Sequence, residues 1–167
     1  MPTPPPPFDL GALLQPELII ADLQATDRWQ AIDELIGLLA ATGRIDPAKR
    51  EGITAAVRKR EATMSTGIGE GIGMPHASTE LVTELTGALG RAPRGVNFES
   101  LDGQPVNLVL VLLVPQGQLQ RHLHTVAGTA RLLRSAELRQ AIQHAPDAAA
   151  ILSVIRHASA PVPPPAA

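Results

Sequence analysis

The sequence predicts an α/β layered domain, in which helical segments alternate with short aliphatic strands. Two stretches carry this prediction. Apolar residues recur at helical spacing between Asp27 and Gly43, and a near-continuous, valine-rich run occupies Val106–Val114. An unbroken aliphatic run of this kind is typical of a strand buried on both faces. Helical and strand patterns that alternate along a chain indicate helices layered on a sheet.

The first elements are identified by residues that start helices. A short strand is predicted over Glu17–Ile20. Asp27 is placed as the N-cap of the first long helix, because its side chain can accept a hydrogen bond from the first turn. Asp46-Pro47 marks a second helix start, since aspartate caps well and proline suits the first turn. This helix should run to about Glu61 and carry Arg60 at its C-terminal end.

The second half of the chain continues the alternation. Two strands come first, and Pro115 closes the second of them, because proline cannot donate to a sheet ladder. Three segments with helical periodicity follow. In order, these predicted elements are Leu85–Arg91, Val106–Val114, Leu119–Leu133, Ser135–His144 and Asp147–His157.

Composition favours a single domain between two disordered tails. The chain has 167 residues, and a domain of this size buries roughly 70% of its unfolded surface. Residues 1–7 are rich in proline and residues 158–167 in proline and alanine, so both ends are predicted to be disordered. No break in composition or repeat divides residues 8–157, which are therefore predicted to form one domain.

Charge and cysteine content exclude several classes of protein. The formal charge is −2, from 14 basic and 16 acidic residues, which argues against binding to nucleic acid. The longest apolar run, Leu108–Val114, is too short to span a bilayer, so no membrane insertion is expected. The chain has no cysteine, which excludes disulfides and thiolate metal sites and suits a cytoplasmic location.

Functional residues are concentrated between Arg60 and His76. Neutral imidazole is a nucleophile near neutral pH, because its unperturbed pKa is about 6.5. Arginine offers planar donors that match phosphate oxygens. The hydroxyls of Ser65 and Thr66 add further donors. Pro75 stiffens the backbone that presents the histidine. The combination predicts a site that carries a phosphoryl group.

Four glycines in this segment stand at alternate positions. If the segment is extended, Gly67, Gly69, Gly71 and Gly73 leave one face without side chains. A bare face would permit the close approach of another backbone or of a ligand. A glycine-rich hairpin whose only role is to turn the chain is the alternative, and glycine spacing alone favours it.

The run RE-ATM-STGIG-EGIGMPH closely resembles the active-site segment of phosphotransferase-system enzyme IIA domains of the fructose/mannitol type. That group includes the nitrogen-regulatory IIA proteins. The segments Leu101–Val106 and His122–Ala127 also match, so the resemblance extends over roughly 8–155. It implies a mixed sheet with helices on both faces. It further implies that His76 accepts phosphate from a phosphohistidine carrier protein and that Arg60 holds the phosphate.

The resemblance assigns further roles at this site. It makes His122 the second active-site histidine, which would orient His76 or donate to the phosphate. Periodicity agrees in part, since at about 100° per residue His122 borders the core-facing stripe and His124 points more toward solvent. Thr66, Gly67 and, less firmly, Ser65 would bind the phosphate. No cofactor or metal is expected, because helical His122-x-His124 spacing makes the two rings diverge and no further ligands lie nearby.

Three functions remain open from the sequence. The first is a phosphoryl carrier that acts as a nitrogen-regulatory switch, which an unfused IIA domain favours. The second is a sugar-transport component that passes phosphate to a IIB domain. The third is a binding module without phosphotransfer. It is suggested by Glu70, where the family commonly has asparagine, because a carboxylate near phosphohistidine would repel it. The oligomeric state is not predicted.

Overall fold

The computed structural model describes residues 9–159, apart from the side chains of Leu119, Arg121 and His122. The predicted tails lie almost wholly outside these residues. Six α-helices lie within these residues. In chain order they are α1 (Leu10–Leu13), α2 (Arg28–Ala41), α3 (Arg50–Thr63), α4 (Leu119–Leu133), α5 (Ala136–His144) and α6 (Ala148–Ser159).

Within the same residues, six strands form one mixed sheet. They are β1 (Ile19–Ile20), β2 (Gly67–Gly69), β3 (Ile72–Gly73), β4 (His76–Thr79), β5 (Thr86–Val96) and β6 (Val106–Pro115). The order across the sheet is β1-β5-β6-β3-β2, and β4 also pairs with β6. The α/β fold class and the mixed sheet predicted from the sequence are confirmed.

Strand β6 is the centre of the sheet. It pairs antiparallel with β5 on one side and parallel with both β3 and β4 on the other. Ile72 pairs with Leu108 and His76 with Leu112, so β3 and β4 follow β6 in one register with a short interruption at Pro75. Almost every residue of β6 is buried, which requires that helices cover both faces of the sheet.

The starts of α2 and α5 lie where the sequence predicts them, and Asp27 is the predicted N-cap of α2. Asp27 accepts a hydrogen bond from the Gln30 N–H at 2.8 Å and begins α2. Ser135 accepts from the Leu138 N–H at 3.2 Å at the start of α5. The α2 stripe of Ile32, Leu35, Ile36 and Leu39 is fully buried, as expected for a core-facing surface.

Several predicted boundaries are displaced. Pro16–Leu18 forms a 3-10 turn, so β1 keeps only the end of the strand predicted at Glu17–Ile20. Asp46 caps a 3-10 turn at Pro47–Lys49, and α3 begins after it. Strand β5 runs past Arg91 to Val96, where its register with β6 shifts. Each shift lies at an element end, where local sequence constrains the backbone least.

Arg91 of β5 ties the sheet to the C-terminal helices. This side chain is buried. Its guanidinium donates to the carbonyl oxygens of Ala21 at 2.9 Å and Ile142 at 2.8 Å, and also to that of Ala145. Ile142 and Ala145 lie at the end of α5, where carbonyl groups lose the partners of a continuing helix, although Ile142 also accepts from the Ala145 N–H at 3.3 Å. Arg91 therefore links β5 to the segment after β1 and to the end of α5 through one charged group.

None of the helices within residues 9–159 has both the length and the apolar character that crossing a bilayer requires.

Candidate functional site

The glycine-rich segment folds into a tight hairpin. Strand β2 turns at Glu70-Gly71 into β3, and both turn residues have left-handed backbones, with φ of 58° and 79°. The prediction of a continuous extended segment with one bare face is therefore wrong, because the segment forms a hairpin. A left-handed backbone conformation is unusual for a glutamate. Its N–H donates to the Asp102 carboxylate at 3.1 Å, which stabilises this turn from a distant part of the chain.

Two of the glycines are needed because another part of the same chain packs against them. A Cβ placed on Gly67 would lie 2.9 Å from the Cα of Ser100, and one on Gly73 would lie 2.9 Å from the Phe98 ring. Close backbone approach thus occurs as the sequence suggested. The approaching segment is internal, so this face of the hairpin is not open to a partner protein. Phe98 therefore explains the glycine at position 73.

We expect Gly67→Ala to destabilise the protein by about 1–3 kcal/mol, because the new methyl group forces the Ser100 backbone to move. Urea unfolding followed by Trp29 fluorescence measures the loss. Gly128→Ala is the matched control, because a Cβ there meets nothing within 4 Å and alanine favours a helix interior. Equal stability of Gly67→Ala and the parent protein would contradict the packing described above.

His76 begins β4 and is half-buried. Its Nδ1 lies 2.8 Å from the carbonyl oxygen of Met74. A carbonyl only accepts hydrogen bonds, so Nδ1 carries the proton. In the neutral ring the lone pair is then on Nε2. Pro75, which has no N–H, separates the two partners and lets the ring fold back onto the preceding carbonyl.

The pKa of His76 is lowered from its usual value of 6.5. Burial is the main cause, and the positive charge of Arg60 acts in the same direction. The hydrogen bond to Met74 and the negative charge of Glu61 oppose them. Burial disfavours the charged imidazolium. The ring is therefore neutral at pH 7, which is the form that acts as a nucleophile.

Arg60 lies in the last turn of α3, as the sequence predicts. Its Nη1 donates to the Met64 carbonyl at 3.2 Å, which holds the guanidinium over the start of the hairpin segment. Its charge acts on His76. The structure thus places Arg60 near enough for its charge to lower the pKa of His76.

The three residues predicted to bind phosphate have internal partners in the structure. The Ser65 hydroxyl donates to the Phe98 carbonyl and accepts from the Gly67 N–H at 3.1 Å. The Thr66 N–H and hydroxyl donate to the Glu61 carboxylate, at 2.9 and 2.6 Å. These bonds shape the loop between α3 and β2. A direct phosphate contact from these groups stays a prediction, and it would require them to exchange partners.

Glu61 is a site residue that the sequence reasoning did not assign. It is 1% exposed, and its Oε1 lies 3.6 Å from Arg28 Nη1. A second nitrogen of Arg28 pairs with Glu99 at 3.2 Å. Periodicity could have revealed this residue. Ile53, Val57 and Glu61 recur every four positions and are the buried residues of α3, so a carboxylate stands on the core-facing stripe.

His122 lies in the first turns of α4, which follows the end of β6. Its side chain is outside the described residues, so its proposed contact with His76 stays a prediction. His124 is exposed, in agreement with the helical spacing.

Glu70 is separated from His76 along the sheet. Ile72 and His76 pair with positions of β6 that are four residues apart, or roughly 13 Å at about 3.3 Å per residue. Glu70 precedes Ile72, and its carboxylate pairs with Arg139 Nη1 at 3.3 Å. Charges at that separation are largely screened, since the Debye length is about 8 Å at physiological salt. The repulsion suggested by the sequence is therefore small.

Known proteins resemble this chain in sequence and in fold. Residues 12–158 match the model of the family described as "Phosphoenolpyruvate-dependent sugar phosphotransferase system, EIIA 2". A nitrogen regulatory protein of Bradyrhizobium diazoefficiens is 34% identical over 143 residues, which cover 86% of this chain and 92% of that protein. The fructose-specific EIIABC component of Bacillus subtilis is 35% identical over 143 residues, but this chain spans only 22% of its length.

A solved structure agrees. The nitrogen regulatory protein IIA-Ntr of Neisseria meningitidis superimposes with a TM-score of 0.77 and 26% identity, over 87% of this chain and 98% of that one. The fold and these similarities define a component of the phosphotransferase system. Within that class, the chain belongs to the EIIA type 2 family, whose members are phosphotransfer components.

Proposed function

We propose that the protein is a phosphoryl carrier whose acceptor atom is Nε2 of His76. One observation carries the proposal: the Nδ1–H of a half-buried, neutral imidazole is fixed 2.8 Å from the Met74 carbonyl, which leaves the Nε2 lone pair as the nucleophile. The donor is a phosphohistidine carrier protein, as the resemblance to the family implies. A cytoplasmic location, which the absence of cysteine fits, belongs to the same proposal.

The transfer involves one bond made and one broken. The Nε2 lone pair attacks phosphorus, and the phosphorus–nitrogen bond of the donor histidine breaks with its electron pair returning to the donor ring. The proton on Nδ1 of His76 stays in its hydrogen bond to Met74. That bond stabilises the positive charge that the acceptor ring gains, because a carbonyl dipole placed in advance needs no reorganisation.

Arg60 and His122 are proposed to stabilise the phosphoryl group. A guanidinium can donate two parallel hydrogen bonds to phosphate oxygens, and its charge offsets the charge spread over them during transfer. Ser65, Thr66 and Gly67 remain candidate contacts of the phosphate once it is bound. The bonds from Thr66 to Glu61 belong to the free protein that meets the donor, and Thr66 would exchange them only after transfer. No cofactor enters the proposed reaction.

Exposed apolar side chains near the site support docking of a partner protein. Met64, whose carbonyl is bound by Arg60, is 65% exposed, and Leu101, whose N–H donates to the Gly67 carbonyl, is 80% exposed. A single exposed apolar side chain is common, but these two flank the same hairpin segment, and exposed apolar side chains that form one patch mark sites of protein contact. We propose that the donor protein covers them when the two histidines meet.

The output that we propose is a regulatory switch of the nitrogen-regulatory type. Phosphorylation adds negative charge and acceptor oxygens at the docking surface, so it changes the affinity for partners. Transfer to a IIB domain for sugar uptake is the second candidate, and the 35% identity to the fructose-specific protein supports it. Pairing of Glu70 with Arg139 weakens the case for an inactive binding module.

Incubation with phosphoenolpyruvate, enzyme I and the phosphohistidine carrier protein tests the proposal. We expect one acid-labile phosphoryl group per chain, located on His76 by fragmentation mass spectrometry at alkaline pH. No incorporation, or incorporation at another residue, would contradict it. Addition of a purified IIB domain then separates the two outputs, since rapid loss of the phosphoryl group favours sugar transport.

Arg60→Ala is expected to slow phosphoryl uptake by roughly 100-fold, because one charged donor to the transferring group is removed. Rapid-quench kinetics with the phosphorylated donor measure the rate. Lys59→Ala is the control, because it removes the same charge from an exposed position one residue earlier. Similar rates for both variants would show that Arg60 has no specific role.

Phosphoryl uptake should keep its full rate at acidic pH values where an ordinary histidine is already protonated. The lowered pKa of His76 means that the rate falls only below pH 6.5. The free energy of unfolding should also decrease below pH 6.5. At those pH values the histidine of the unfolded chain binds a proton more readily than His76 does in the folded protein. NMR titration of the His76 ring protons measures the pKa, and a value above 6.5 would contradict the expected direction.

A further inference from the structure

The buried carboxylate of Glu61 is connected to His76 by consecutive hydrogen bonds. Both of its oxygens accept from Thr66, one from the N–H and one from the hydroxyl. The Thr66 carbonyl accepts from the Met74 N–H at 3.1 Å. The Met74 carbonyl in turn accepts from Nδ1 of His76 at 2.8 Å. A carboxylate without exposure is costly unless it is fully bonded, and here its bonds fix the edge of the hairpin that presents the imidazole.

We propose that Glu61 is the positioning residue of the site: through Thr66 and Met74 it holds His76 with the proton on Nδ1 and the lone pair on Nε2. Glu61 does not contact the phosphoryl group in this arrangement. The inference deepens the proposed carrier function and, for its kinetic part, rests on it. The part that concerns the tautomer of free His76 stands without any phosphoryl donor.

Two arginines make this buried negative charge compatible with an incoming phosphate. Arg28 of α2 lies 3.6 Å from Glu61, and its guanidinium stacks over Trp29 at 4.5 Å from the ring centroid. Arg60 of α3 supplies the second positive charge. Burying a carboxylate next to an anion-transfer site would otherwise raise the barrier to transfer. Glu61 thus acts through the geometry that it imposes on Thr66.

Substitution can separate the hydrogen bonds of Glu61 to Thr66 from the effect of its negative charge. In Glu61→Gln the amide oxygen can accept from the Thr66 N–H and the amide NH2 can donate to its hydroxyl, so both bonds survive while the charge is lost. Glu61→Ala removes the bonds as well. Thr66→Val removes only the hydroxyl bond and serves as a milder variant in case Glu61→Ala does not fold. Glu51→Ala removes an exposed carboxylate from the same helix as a control.

Long-range nitrogen-15 NMR of the free proteins at pH 7.5 reports the tautomer of His76. The parent, Glu61→Gln and Glu51→Ala proteins should show the Nδ1–H form. Glu61→Ala should show a mixture of both forms, and Thr66→Val a smaller change in the same direction. If the Nδ1–H form decreases in Glu61→Gln as much as in Glu61→Ala, the proposed connection through Thr66 is wrong. An unchanged tautomer in every folded variant would overturn the proposal as a whole.

Rapid-quench kinetics provide the second readout. Glu61→Ala should take up the phosphoryl group about 10-fold or more slowly, the loss typical when a group that orients a functional histidine is removed, while Glu61→Gln stays within a few-fold of the parent. A parent protein that takes up no phosphate contradicts the carrier function alone. A parent that is phosphorylated, together with an equally fast Glu61→Ala, contradicts only the positioning role.

Discussion

A His76→Gln protein is expected to take up no detectable phosphoryl group from the phosphorylated donor. Glutamine can still donate to the Met74 carbonyl, but its side chain has no nitrogen lone pair that could attack phosphorus. The side chain is only half-buried, so the free energy of unfolding should change by less than about 1 kcal/mol. Radiolabelled phosphoenolpyruvate measures incorporation, and circular dichroism during urea titration measures stability.

His144→Gln is the matched control for this experiment. The Nδ1 of His144 also contacts a backbone carbonyl, that of Gln140 at 2.7 Å, and the side chain is exposed at the end of α5. The His144→Gln protein should retain full incorporation, because His144 lies outside the proposed site. It is a matched control because its Nδ1 contacts a backbone carbonyl, as that of His76 does. Labelling of His76→Gln at the parent level would assign the acceptor to a different residue.

Replacement of Arg91 by methionine is expected to lower the free energy of unfolding by about 3–5 kcal/mol. The change removes the charged donor from the carbonyls of Ala21, Ile142 and Ala145. Ile142 still accepts from the Ala145 N–H, but a buried carbonyl left without its donor is costly. At about 2–4 °C per kcal/mol for a chain of this size, the melting temperature should fall by roughly 10 °C. Trp29, the single tryptophan, provides a fluorescence signal for unfolding.

Arg94→Met tests whether this loss depends on burial. Arg94 is on the same strand, but its side chain is 69% exposed and its pairing with Asp22 at 3.3 Å is a surface contact. Exposed ion pairs contribute less than about 1 kcal/mol. Arg91→Lys should recover part of the stability, since one ammonium can reach some of the carbonyls. Comparable losses in the Arg91 and Arg94 methionine variants would contradict the bonding described for Arg91.

The elements that the sequence predicts well are those determined by local interactions. Asp27 and Ser135 cap their helices through bonds that span three residues, and such contacts can be read from a short window. The same is true of the aliphatic run in β6, whose burial on both faces follows from its composition. The fold class therefore follows from local patterns, and the resemblance to a known family adds the arrangement of the sheet.

Features of the site that depend on distant residues were not predictable in this way. The left-handed backbone of Glu70 is stabilised by Asp102, and the hydroxyl of Ser65 is bound by Phe98. Both partners lie more than thirty residues away in sequence. The combination of the glycines with Ser65, Thr66 and His76 suggested an open, phosphate-binding face, whereas tertiary contacts use the two hydroxyls to build the support of His76.

The single register that β3 and β4 keep with β6 restricts how this region of the chain can evolve. Because the side-chain period of a strand is two, adding or deleting one residue between Gly73 and His76 would turn the imidazole to the opposite side of the sheet. The dipeptide Met74-Pro75 therefore acts as a spacer of fixed length. Substitutions within it are tolerable in principle, but a change in its length would move the His76 imidazole away from the Arg60 guanidinium on α3.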